Sequence, residues 1–111
     1  MIVPLEVRFY LSSAGNSPVE RYLESLEPPE RARVLDALDR IRTDGFGAAG
    51  VSTRQIDGKL WEIKVSRYRL FYVTVEGPVV VLLHAYQKQA RKAPRAEIDV
   101  ARTRMKEVLD G

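Results

Sequence analysis

No cysteine occurs in the 111 residues, and histidine and tryptophan occur once each. The first absence excludes disulfides and thiolate metal sites, and it leaves a reducing compartment open. A single histidine excludes a His-rich metal cluster. Long apolar runs are missing too: the longest, "PVVVLL", is far too short to cross a bilayer. The start, "MIVPLEVRFY", has neither the basic region nor the apolar stretch of a secretory leader. The expectation is one cytoplasmic domain, residues 1–111, with no membrane contact and no cofactor.

What is present is an ordinary globular balance, 45% hydrophobic and 30% charged, enough to bury one core. Net charge is only +3, but it is unevenly spread. Residues 1–53 hold 6 Lys/Arg against 8 Asp/Glu, and residues 54–111 hold 12 against 7. Between Lys59 and Arg95 stand 8 basic residues, with Glu62 and Glu76 as the only acids. A polyanion responds to charge within roughly the ~10 Å Debye length, so this cluster matters more than the total. A solvated basic face explains it equally well on charge alone.

The apolar periodicity changes along the chain. "VPLEVRFY" alternates as a first strand, with Pro4 putting it at a sheet edge. "NSPVERYLESL" opens a helix, with Ser17 as cap, Pro18 at the first helical position and Glu20 completing a capping box. Its apolar face is Val19, Tyr22, Leu23 and Leu26. "EPPE" starts a second helix, to about Thr43, whose stripe is Val34, Leu38 and Ile41. From about Arg54 the period becomes two, predicting strands over 54–65, 68–75 and 79–87. A last helix begins near Pro94 with Ile98, Ala101, Met105 and Val108/Leu109 inward. The order β-α-α-β-β-β-α predicts an α+β fold, a small, mostly antiparallel sheet flanked by helices.

The stretch "LWEIKVSRYRLFYVTV" decides where the cations fall. With Ser66 and Arg67 as a tight turn, Val65 pairs with Tyr68 and Lys64 with Arg69, while Glu62 opposes Phe71 and Trp61 opposes Tyr72. A second turn, of Glu76-Gly77 alone or of the four residues Val75 to Pro78, sets Arg69 opposite His84, Val73 opposite Val80 and Phe71 opposite Leu82. Lys64, Arg69 and His84 then form a row across three strands, with Tyr86 and Lys88 further along. Facing cations repel by roughly a few tenths to 1 kcal/mol, which a purely structural sheet gains nothing from. Taken singly, each has a plainer explanation: a solvated cation, a half-buried histidine, a packed tyrosine.

In "KLWEIKVSRYRLFYVTVEGPVVVLLHAYQKQARKAP", and most specifically in "LWEIKVSRYRLFY" and "LLHAYQKQARKAP", the chain resembles the RelE/HigB-like toxins of toxin–antitoxin pairs, including phage-derived members. The resemblance covers nearly the whole chain in element order. It implies a small sheet flanked by helices, an enzyme that cuts mRNA in the ribosomal A site, and a cognate antitoxin, with a toxin–antitoxin hetero-oligomer. By the same resemblance Lys64 is the basic residue before the first turn, Arg69 binds the scissile phosphate, Lys88 is the basic residue ending the last strand, and Tyr86 lies near the aromatic that contacts RNA. Glu62 departs from RelE, which has a lysine there.

The chemistry fits these residue types. Metal-independent cleavage uses the 2′-OH to attack its own phosphate, and needs a proton acceptor, a cation at the phosphorane and a proton donor for the leaving oxygen. Arginine binds phosphate with a planar fork. His84 is the default acid or base, with Lys64 in the other role and Lys88 in the catalytic set. Tyr86 would stack on an unpaired base, and Arg67, Arg91 and Lys92 would track phosphates. Two other classes stay open: a non-catalytic ParE-like toxin that poisons a topoisomerase by protein contact, and a basic nucleic-acid-binding module resting on "QKQARKAPR".

Overall fold

The computed structural model describes residues 4–48, 50–89 and 94–111. The elements are β1 (Glu6–Phe9), α1 (Pro18–Glu24), α2 (Pro28–Asp44), β2 (Ser52–Asp57), β3 (Leu60–Val65), β4 (Tyr68–Val75), β5 (Val79–Gln87) and α3 (Arg95–Asp110). The five strands form one sheet in the order β1-β5-β4-β3-β2. β1 pairs parallel to β5, and the other three pairings are antiparallel. The α+β class and the edge position of β1 are as the sequence predicts.

One expected strand is two. The stretch 54–65 folds back on itself as the β2–β3 hairpin, in which Asp57 pairs with Leu60 across Gly58-Lys59. Gly58 has φ 57°, the left-handed conformation that a two-residue hairpin loop demands of its first central residue.

The sheet is covered on both faces because both faces of β4 and β5 are apolar. On one side Ile63, Leu70, Tyr72, Val80 and Leu82 pack with Val19, Leu23, Val34, Leu38 and Ile41 of α1 and α2. On the other, Leu60, Phe71, Val73, Val81 and Leu83 pack with Ala101, and with Ile98, Met105 and Val108 at its margin. These are the helical stripes that the spacing predicts, except that Leu109 is exposed. Pro18 does take the first turn of α1, but the Ser17 hydroxyl makes no capping bond and is buried without a partner, so the capping box does not form.

The first predicted register is found: Val65↔Tyr68, Lys64↔Arg69, Glu62↔Phe71 and Trp61↔Tyr72. The second is not. Val75 pairs with Val79 across a three-residue loop, and that register runs to Tyr72↔Leu82. It then shifts, so that Phe71 pairs with His84 and Arg69 with Tyr86. Leu83 is the extra residue, a β-bulge. The predicted opposition of Arg69 and His84 is therefore corrected to Arg69 and Tyr86, and the row across three strands is Lys64, Arg69, Tyr86. A longer loop alone would have turned β5 over, and the bulge turns its far end back.

Ser66, in the β3–β4 turn, is the one non-glycine with positive φ (53°) among the described residues. Left-handed backbone costs an L-residue roughly 1–2 kcal/mol, and glycine in the unfolded chain costs about 0.5–1 kcal/mol in entropy. Ser66→Gly should therefore stabilise the fold by about 0.5–1 kcal/mol. A urea midpoint that stays the same or falls would contradict it.

Candidate functional site

On the α3 side, toward the β2 edge of the sheet, lies a cleft of about 330 Å³ lined by Ser52, Thr53, Arg54, Glu62, Lys64, Arg69 and Lys88. Three strands contribute, because alternate residues of paired strands share a face: Ser52 pairs with Lys64, Arg54 with Glu62, and Lys64 with Arg69. Lys88 is brought in by the ladder, its N–H donating to the Arg67 carbonyl at 2.7 Å just past the Tyr68↔Gln87 pair.

Two of these charged groups are buried. Arg69 is 7% exposed, and its Nη1 donates to the carbonyls of Ser66 (2.9 Å) and Tyr68 (3.0 Å), fixing the guanidinium against the turn. Glu62 is 4% exposed; its Oε1 accepts from Arg54 Nη2 at 3.2 Å, while its Oε2 is buried without a partner. Lys64 and Arg54 are exposed, and Lys88 is half-buried.

Tyr86 lies beneath the cations. It is 6% exposed, and its ring stacks against Phe71 (5.5 Å) and His84 (6.2 Å). Little of the ring is left exposed, and what remains borders the cleft that His84 also lines. Its hydroxyl is buried and unpartnered. Burial chiefly, then the Glu62 charge, push its pKa up to about 12, against a lowering by Arg69.

His84 is not among the residues lining the cation cleft. It faces a second cleft, of about 580 Å³, shared with Tyr22, Gln89, Pro94 and Glu97. Its Nε2 lies 2.5 Å from Glu97 Oε2, and its Nδ1 lies 3.3 Å from Arg104 Nη1. Arginine can only donate, so Nδ1 accepts and Nε2 carries the proton given to Glu97. Both ring nitrogens are thus engaged by α3, and His84 tethers that helix to the sheet.

Of the predicted residues, then, the fold brings together Lys64, Arg69 and Lys88, with Tyr86 below them and His84 apart. Arg67 is exposed at the turn beside them. Arg91 and Lys92 lie outside the described residues. Arg54 enters the site unforeseen because the predicted strand 54–65 merges β2 with β3, and Ser52 because β2 starts two residues before that strand. The signal was there in "DGK", since Asp-Gly between alternating segments marks a tight hairpin.

Nitrogen NMR of the single histidine should show the Nε2–H tautomer in the folded protein; the Nδ1–H tautomer would contradict the tether. A second expectation concerns alkaline pH. Burial also pushes Tyr72 up to about 12, against a hydrogen bond with Thr53, so two tyrosines hold protons that the unfolded chain releases near 10.0. Their contribution to stability is complete below pH 10 and is lost as pH rises from about 10 to about 12. Urea midpoints should fall across that window, less steeply in Tyr86→Phe; an equal slope in the variant would contradict the assignment.

The model of the family described as "Phage derived protein Gp49-like (DUF891)" matches residues 21–106. Among solved structures, a chain of the crystal structure of the toxin–antitoxin complex RelBE2 from Mycobacterium tuberculosis is similar in fold. The likeness has a TM-score of 0.54 at 20% identity and covers 79% of this chain and 95% of that one. No curated protein matches the chain. Among the described residues, no helix is long and apolar enough to cross a membrane. With more than half its length matched, including both segments that carry the resemblance to RelE/HigB-like toxins, the chain belongs to the phage-derived Gp49-like family.

Proposed function

We propose that this protein is the toxin of a toxin–antitoxin pair and a metal-independent endoribonuclease that cuts mRNA on the translating ribosome. The observation that carries this reading is the convergence of Arg54, Lys64, Arg69 and Lys88 on one cleft. Gathering like charges costs a sheet some stability, and an anion such as an RNA phosphate would offset that cost. Membership of the Gp49-like family and the fold shared with the RelBE2 chain support the toxin assignment, and a cognate antitoxin is the partner that it implies.

In the proposed reaction the 2′ oxygen attacks the adjacent phosphorus in line. A 2′-O–P bond forms, the P–O5′ bond breaks, and the 5′ oxygen takes a proton. Arg69, held by two turn carbonyls, binds the non-bridging oxygens as charge builds on them. Lys64 stands opposite it in the ladder and Lys88 just past the end of β5, one neutralising the phosphorane and the other protonating the leaving oxygen. Arg67 and Arg54 hold the flanking phosphates. The cleft is small and the catalytic set spare, so positioning by the ribosome supplies much of the acceleration.

The test is to map RNA 5′ ends on translating ribosomes with the wild-type protein and with Arg69→Ala and Lys88→Ala. New ends within codons, reduced about 10²–10³-fold in Arg69→Ala, are expected. No new ends with wild type would discard the nuclease and favour a toxin acting by protein contact.

A further inference from the structure

We infer that Glu62 is the proton acceptor of this site, the group that takes the proton from the attacking 2′-OH. This rests on the endonuclease reading and deepens it. The sequence makes His84 the default acid or base, but both nitrogens of His84 are engaged by Glu97 and Arg104, and it lines a different cleft. Among the described residues that line the cation cleft, Glu62 is the one with a carboxylate.

Its surroundings are not those of a structural carboxylate. A buried oxygen left without a hydrogen bond is costly, and folded proteins almost always satisfy it. Oε1 is satisfied by Arg54, yet Oε2 is buried, unpartnered and set among the residues that line the cleft. The unpartnered hydroxyl of Tyr86 lies within electrostatic reach of the same carboxylate. An incoming hydroxyl group is the neutral donor that Oε2 lacks. A phosphate would be repelled by Glu62 alone, but four cations outweigh one carboxylate at the cleft.

The charged groups around Glu62 come from every element that meets there. Arg54 approaches from β2, Lys64 from β3, Arg69 from β4, Tyr86 from β5 and Lys88 from just past its end, and the Tyr86 hydroxyl also feels Glu97 of α3. The proton passes from the 2′-OH to Oε2, the 2′ oxygen bonds to phosphorus, and the 5′ oxygen leaves with a proton from a lysine ammonium. Exchange with solvent then returns both side chains to their starting states.

The test is single-turnover cleavage of ribosome-bound mRNA from pH 4.5 to 8.5 by wild type, Glu62→Gln and Glu62→Asp. It is paired with the affinity of each for a short RNA. Wild type should lose cleavage toward acid pH. Glu62→Gln should cleave about 10²–10³-fold more slowly with no acid limb, yet bind RNA as tightly or more tightly, since a negative charge is gone. Glu62→Asp should keep the acid limb at reduced rate. A Gln variant within threefold of wild type would overturn the assignment. So would a wild-type rate that is flat toward acid, whether or not the Gln variant folds. Absence of any cleavage by wild type would instead count against the endonuclease reading itself.

Discussion

The place of Lys88 in the cation cleft depends on one extra residue in β5. The three-residue loop after β4 sets Val75 against Val79, and carried to the end of the strand that register would put Ala85 opposite Arg69. Tyr86 would then point into the α1/α2 layer, and Lys88 with it, because a strand alternates faces with a period of two. Leu83 breaks the count. Leu82 faces one core and Leu83 the other, both fully buried, so the bulge costs no apolar burial. The carbonyl of Leu83 accepts from Arg104 of α3 at 2.9 Å. The same guanidinium reaches His84 Nδ1 and lies over the Tyr10 ring at 5.3 Å. Helix α3 thereby holds the bulge in place, and the bulge turns Tyr86 and Lys88 toward Arg69.

Stability alone does not account for the charges that result. A buried ion pair such as Glu62–Arg54 is often matched or exceeded, by about 1–4 kcal/mol, when apolar residues of similar size replace it. Arg69 is likewise buried at a position where Val or Ile would extend the Phe71–Val73 surface. Each charge is held by local geometry: Arg69 by carbonyls of the strained β3–β4 turn, Glu62 by Arg54 across the β2–β3 ladder. The positive φ of Ser66 makes sense in this light, since strain at a turn persists where neighbouring structure uses it.

The sequence made legible whatever is governed by local period and turn chemistry. The helical stripes, the edge position of β1 and the Ser66-Arg67 hairpin follow from spacing, and that hairpin alone fixes Lys64 opposite Arg69. The β2–β3 hairpin was legible too, in Asp57-Gly58, but the alternation on both sides of it looks like one long strand. The bulge had no such mark. Leu82 and Leu83 are both apolar because each faces a core, so "VVVLL" hides the point at which the faces change. Everything about His84 turned on that point. Its partners Glu97 and Arg104 lie on a helix whose docking no local pattern prescribes, and a lone histidine at a strand end carries no sign of being claimed from both sides.

With His84 committed to α3, the chemistry of the site is carried by groups of extreme basicity and one carboxylate. Arginine and lysine stay charged at neutral pH, so they bind and stabilise anions well but accept protons poorly. Such a set is strong in electrostatic stabilisation and weak in proton transfer, which by itself contributes about 10²–10⁴-fold to a typical enzyme. Preorganisation is the compensating asset. Arg69 and Lys64 sit on a paired ladder with Lys88 just past its end, backed by the Phe71–His84–Tyr86 ring cluster, and need little rearrangement to meet a phosphate. Under the proposed reading this explains the division of labour: the ribosome presents the nucleotide, the sheet presents fixed charge, and Glu62 is left with the one step that fixed positive charge cannot perform.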